Sequence, residues 1–83
     1  MKTEEELKRA VVDALLQVAP DVDAVGLNAR APFRDQFDFD SMDMLNFVTA
    51  LHVRFGVDVP EADYPKLASL EDAVRHLAAR LPA

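Results

Sequence analysis

From Met44 to Phe55 the apolar residues return at helical spacing. At about 100° per residue, Met44, Phe47, Val48, Leu51 and Phe55 share one narrow face. Both ends of this run carry stop and start signals. Asp40 is a good N-cap and Asp43, three residues on, makes a short version of the capping box. Gly56 follows Phe55 and suits the left-handed backbone that closes a helix. The spacing predicts a helix over 41–55 with its apolar face buried.

The same signals divide the rest of the chain into helices and connectors, with no strand pattern, internal repeat or low-complexity segment. Thr3 and Glu6 form a capping box, and Leu7, Ala10, Val11, Ala14, Leu15 and Val18 recur until Pro20, predicting a first helix over 3–19. Residues 20–39 hold Pro20, Gly26, Asn28 and Pro32 and read as a long loop. A loop of that length must be pinned, and Val25, Leu27, Phe33, Phe37 and Phe39 are the candidate pins. Val57 to Pro60 is an extended connector, and 61–66 makes a short third helix around Pro65. Ser69 caps a last helix over 69–80, with Asp72 three residues on and Ala73, Val74, Leu77 and Leu81 on one face until Pro82.

Composition narrows the function. At 83 residues the chain reads as one domain, 1–83, with a single modest core. Cysteine is absent, so disulfides, cysteine metal sites and cysteine nucleophiles are excluded, and any thiol chemistry has to be imported on a prosthetic group. Fifteen acids against nine bases give a net charge of −6. This balance disfavours nucleic acid and anionic membrane as partners and favours basic protein surfaces. The acid concentrates before the second helix, where Asp21, Asp23, Asp35, Asp38, Asp40 and Asp43 face only Arg30 and Arg34. The charged N-terminus and short apolar stretches show no signal peptide or membrane span, so a soluble cytoplasmic protein is expected.

Ser41 stands at the start of the second helix, inside this acidic frame. Backbone N–H groups lack helical partners there and the macrodipole favours an added anion such as a phosphodiester. Asp38, Asp40 and Asp43 oppose free phosphate, so an enzyme would have to install the anion covalently. A second, semi-apolar stripe of Met42, Leu45, Thr49 and Val53 runs beside it. It is either a docking surface or a face covered by the loop or short helix. Met42 and Val53 read as exposed, and Leu45 fits both.

Catalysis by the chain itself finds no support. Eleven residues of helix separate Ser41 from His52 by about 16 Å, too far for direct proton transfer. His76 reads as a solvated or packing residue on the last helix. Two histidines without a metal-ligand motif make no metal site, and two glycines make no phosphate-binding loop.

Taken together, Asp40-Ser41-Met42-Asp43, the apolar helix to Phe55-Gly56, Val57-Asp58-Val59-Pro60 and the stretch Lys66 to Val74 resemble the acyl carrier protein family in order and register. The resemblance is close over about 33–81 and looser over the first helix. It implies an all-α four-helix bundle with a short third helix. It also implies that Ser41, flanked by Asp40 and Met42, receives 4′-phosphopantetheine from coenzyme A through a phosphopantetheinyl transferase. The arm's thiol would then carry acyl groups as thioesters between acyl-loading and acyl-transferring enzymes in fatty-acid, modified-lipid or polyketide-type biosynthesis. Asp38, Asp43, Leu45, Asn46, Thr49 and Val53 occupy the positions that meet partners. Phe33, Leu51, Val59, Leu67 and Ala73 match core or acyl-pocket positions, and as buried apolar residues read first as core.

Several residues depart from the family pattern. Met42 replaces the usual leucine, and Asp38 stands where many members have glycine. Fatty-acid-synthase carriers stud the helix after the serine with acids, whereas Asn46, Thr49, His52, Val53 and Arg54 stand here, which weakens electrostatic steering. A specialised stand-alone carrier, monomeric because no long stripe is left over on the first and last helices, is the expectation. The alternative is an unmodified helical-bundle interaction module using the Met42, Leu45 and Val53 face.

Overall fold

The computed structural model describes residues 3–81. Its α-helices are α1 (Glu4–Val18), α2 (Ser41–Phe55) and α3 (Leu70–Arg80), joined by a 3-10 turn at Phe33–Asp35 and a 3-10 helix at Glu61–Leu67. The all-helical expectation holds, and the short third helix of the bundle has the tighter 3-10 winding. Pro65 lies inside that segment, where its missing N–H and fixed φ disfavour a longer α-helical run. Pro82, the expected stop after the last helix, lies outside the described residues.

Local chemistry sets the helix ends. Thr3 Oγ1 accepts the Glu6 N–H at 3.1 Å at the start of α1. Ser69 Oγ accepts the Asp72 N–H at 3.1 Å at the start of α3. Gly56 closes α2 at φ 69° and ψ 19°, the left-handed region that glycine enters without strain.

Each helix then contributes its apolar stripe to one core. α1 packs on both α2 and α3, and the 3-10 helix packs on α3. Leu7, Val11 and Leu15 of α1 meet Phe47 and Leu51 of α2, Leu67 of the 3-10 helix, and Ala73 and Leu77 of α3 in a single buried cluster. Met44 and Phe55 flank it, half-buried.

The loop between α1 and α2 is held at four of its five expected pins. Phe33 is sealed in the core, and Leu27, Phe37 and Phe39 pack partly buried against it. Phe33 meets Phe47 edge-on at 5.6 Å between centroids, and Phe39 lies 5.4 Å from Phe33. These are the separations at which aromatic rings attract one another. Val25 does not pin the loop, being 97% exposed. The Asp23 carboxylate accepts the Val25 N–H at 3.1 Å, and this turn carries Val25 to the outer tip while Val22 packs inward instead. The Gln36 side chain spans the loop, accepting the Asn28 N–H at 2.7 Å and donating to the carbonyls of Asn28 at 2.8 Å and Ala31 at 2.9 Å. Two backbone bonds then tie the loop to the start of α3: Phe33 N–H to Ala68 O at 2.7 Å, and Glu71 N–H to Ala29 O at 2.8 Å.

His76 resolves as a packing residue, only 6% exposed. Arg80 Nη1 lies 3.3 Å from its Nδ1. A guanidinium only donates, so Nδ1 accepts and the ring proton sits on Nε2, which is buried without a partner among the described residues. Arg80 and Lys66 each reach Asp63 of the 3-10 helix at 3.3 Å, placing two cations and one acid around the ring. Burial first, then the Arg80 charge, hold the His76 pKa below its ordinary 6.5, with Lys66 adding to the depression and Asp63 opposing it. The unfolded chain thus binds the proton more readily than the folded one. Stability from this group is full above the ordinary value and is lost as pH falls through it toward the folded value. The urea midpoint should therefore fall between pH 7 and about pH 5.5, and His76→Gln should flatten that part of the profile. Parallel profiles for the two proteins would contradict the assignment.

Candidate functional site

Ser41 is the first residue of α2, exposed at the helix start, and its position is fixed by the two aspartates around it. Asp40 Oδ1 accepts the Asp43 N–H at 2.9 Å, and Asp43 Oδ2 accepts the Asp40 N–H at 3.0 Å. The expected capping box is complete in both directions. The two nearest carboxylates are thereby occupied with backbone donors, and the hydroxyl between them projects from a rigid turn. Met44 N–H bonds Asp40 O at 3.0 Å, so helical bonding begins directly beneath the serine.

A groove of about 750 Å³ reaches Ser41 between the start of α2 and the 3-10 helix. Phe39, Met42, Met44 and Leu45 form one side, Tyr64 and Pro65 the other, and Arg34 is the one cation among the described residues lining it. The volume lies within the roughly 300–1,000 Å³ typical of small-molecule sites. A second hollow of about 580 Å³ over Leu7, Leu70 and Val74 shares no residue with the first. On its rim Glu71 meets Arg75 at 3.0 Å and Arg30 at 3.5 Å.

The stripe beside Ser41 is open to solvent. Met42 is 61% exposed, Leu45 43% and Val53 79%, which settles Leu45 as exposed and leaves the stripe uncovered by the loop or the 3-10 helix. Asn46, Thr49 and Asp38 are exposed as well, and Asp43 is half-buried. Thr49 turns its hydroxyl back to donate to Leu45 O at 2.8 Å, which takes that polar group into the helix's own backbone. His52 Nδ1 lies 3.0 Å from Asp58 and 3.2 Å from Val57 O, and Arg54 meets Asp13 of α1 at 3.6 Å. The two basic residues of α2 are therefore engaged by acids of this chain.

The five positions matched to core or pocket lie together elsewhere. Phe33, Leu51, Leu67 and Ala73 are sealed in the core and Val59 packs against it half-buried. None of the five lines either hollow. Neither histidine hydrogen-bonds Ser41 among the described residues. No group of three acids, histidines or cysteines among those residues could hold a metal ion, and no helix there is long and apolar enough to cross a membrane.

The family model described as a phosphopantetheine attachment site matches residues 9–77, most of the chain. The chain belongs to the acyl carrier protein family. The acyl carrier protein of Campylobacter hominis is 34% identical over 77 residues, covering 93% of this chain and 91% of the relative. That of Solidesulfovibrio magneticus is 31% identical over 74 residues, covering 89% and 88%. That of Helicobacter pylori is 29% identical over 66 residues, covering 80% and 85%. As an acyl carrier protein the chain is a carrier and not an enzyme, it works with modifying and biosynthetic enzymes, and its prosthetic group is 4′-phosphopantetheine.

Two features of the site are missing from the sequence reading. Arg34 and Tyr64 face the same groove as Ser41 although they lie 7 and 23 positions from it in the chain. Arg34 had a signal in the sequence, being the sole lysine or arginine between Arg30 and Arg54. Tyr64 had none, because only the tertiary path of the 3-10 helix brings it there. Asp40→Ala removes the acceptor for the Asp43 N–H and should lower unfolding free energy by about 0.5–2 kcal/mol, measured by urea denaturation. Ser41→Ala, which leaves both capping bonds intact, should change it by less than Asp40→Ala does.

Proposed function

We propose that Ser41 is the attachment point of the 4′-phosphopantetheine arm, and that residues 1–83 act as one carrier domain. The observation that carries this reading is the exposed Ser41 hydroxyl at the first position of α2, between two aspartates locked in reciprocal capping bonds. The residues at this helix start fit the group. The hydroxyl is free to become a phosphoester, the neighbouring carboxylates are held by backbone donors, and a groove with one cation lies alongside. When bound, the arm supplies a thiol, which a chain without cysteine lacks, for carrying acyl groups as thioesters. Asp40 and Met42 frame the serine for a phosphopantetheinyl transferase.

The partners are that transferase and the enzymes that load and remove the acyl group, met by Asp38, Asp43, Leu45, Asn46, Thr49 and Val53. Acids end at Asp43 on α2, and the exposed face beyond it is apolar and neutral apart from His52 and Arg54, each paired with an acid. Docking on such a face relies on apolar burial more than on long-range attraction. This supports a specialised stand-alone carrier of a modified-lipid or polyketide-type pathway over a general fatty-acid carrier. A cytoplasmic monomer that engages neither nucleic acid nor membrane fits the acidic surface. Phe33, Leu51, Val59, Leu67 and Ala73 serve this carrier as core, and an acyl chain entering the bundle would have to displace them.

Intact mass after incubation with coenzyme A and a broad-specificity phosphopantetheinyl transferase should rise by one phosphopantetheine in the wild type and stay unchanged in Ser41→Ala. No gain on a folded protein that starts unmodified would favour an unmodified interaction module. Fatty-acid-synthase loading enzymes should acylate the holo form less efficiently than the dedicated partner does, and equal efficiency would refute the specialised reading.

A further inference from the structure

We infer that Arg34 is the counter-ion of the arm's phosphodiester, held at the groove that Arg34 and Ser41 both line. The inference rests on attachment at Ser41. Among the residues lining that groove Arg34 is the single cation, while Asp40 and Glu61 contribute negative charge. A phosphodiester added at Ser41 therefore enters an acidic neighbourhood in which, besides the helix start itself, Arg34 is the one cationic side chain among the described residues lining the groove.

Arg34 is also available. Arg30, Arg54, Arg75 and Arg80 each hold a carboxylate of this chain. Arg34 holds none among the described residues, although Asp35, Asp38, Asp40 and Asp43 follow it closely in the chain. Asp40 and Asp43 are taken by each other's backbone N–H groups. The guanidinium offers two parallel donors of the kind that match phosphate oxygens.

Its backbone is held as well. Phe33, the preceding residue, is sealed in the core and donates its N–H to Ala68 O at 2.7 Å, and Asp35 N–H bonds Pro32 O at 3.0 Å. On the protein side only the Arg34 side chain has to be ordered on binding, because its backbone is already fixed. Beyond the cation the walls change character. Phe39, Met42 and Leu45 are apolar, and Tyr64 brings a hydroxyl.

The test compares apo and holo protein by ¹H–¹⁵N spectroscopy, with intact mass confirming one phosphopantetheine on wild type, Arg34→Gln and Arg34→Lys alike. In the wild type the amides of Tyr64 and Ala68 should shift on going from apo to holo. Arg34→Gln should reduce those shifts about 1.5- to 5-fold, the range for an exposed ion pair, and Arg34→Lys should retain most of them. High salt should reduce the wild-type shifts toward the Gln level. Tyr64 and Ala68 amides unmoved in wild-type holo protein, or moved equally in Arg34→Gln, would overturn the inference while leaving attachment at Ser41 intact. Absence of the mass gain in every variant would instead remove the attachment reading beneath it.

Discussion

The structure depends on Phe33. Its ring is sealed in the core against Phe47, and its N–H is bonded to Ala68 O at 2.7 Å. One residue thereby fastens a long, irregular loop both to α2 and to the junction ahead of α3. Fixing such a loop is costly in conformational entropy, and no regular helix or sheet offsets that cost between Pro20 and Pro32. The aromatic cluster and the Gln36 bonds supply the compensation locally. With the loop fixed, the start of α2 and the 3-10 helix stand on opposite sides of one groove, and Ser41 comes to its edge.

Charge follows a second logic. A chain of net charge −6 has to place its acids without forcing them together. Around Ser41 it does so by turning Asp40 and Asp43 to backbone donors, so that each carboxylate stabilises the helix start. Elsewhere Arg54, Lys66 and Arg75 are spread among Asp13, Asp63, Glu71 and Asp72. These are surface pairs of small individual value, and on α2 the Arg54–Asp13 and His52–Asp58 pairs leave the helix beyond Asp43 nearly neutral toward solvent. The carrier's outer face is thus more apolar than its overall charge suggests.

Helix positions were legible in the sequence because capping and periodicity are local. Asp40 with Asp43, Gly56, and Ser69 with Asp72 each act within four residues, and the structure places each as expected. Loop packing was less legible. Val25 and Leu27 carry the same apolar signal, and only the Asp23 turn, which directs Val25 outward, separates them. The capping pattern around Ser41 could be read directly, but its surroundings could not. Arg34 and Tyr64 become neighbours of Ser41 through the tertiary path of two irregular segments, and nothing in helical spacing records that path. His76 likewise looks like any polar helix residue until the packing of α3 shows it buried.

The 3-10 winding at Glu61–Leu67 has a mechanical consequence. Bonds of the i to i+3 kind are poorly aligned, and Pro65 removes one donor from a segment of seven residues. The opposite side of the groove belongs to a fifteen-residue α-helix capped at both ends. The groove thus has one stiff jaw and one compliant jaw. A bulkier guest would be met by yielding of the compliant jaw, and the serine, anchored in the stiff one, would keep its place and aim.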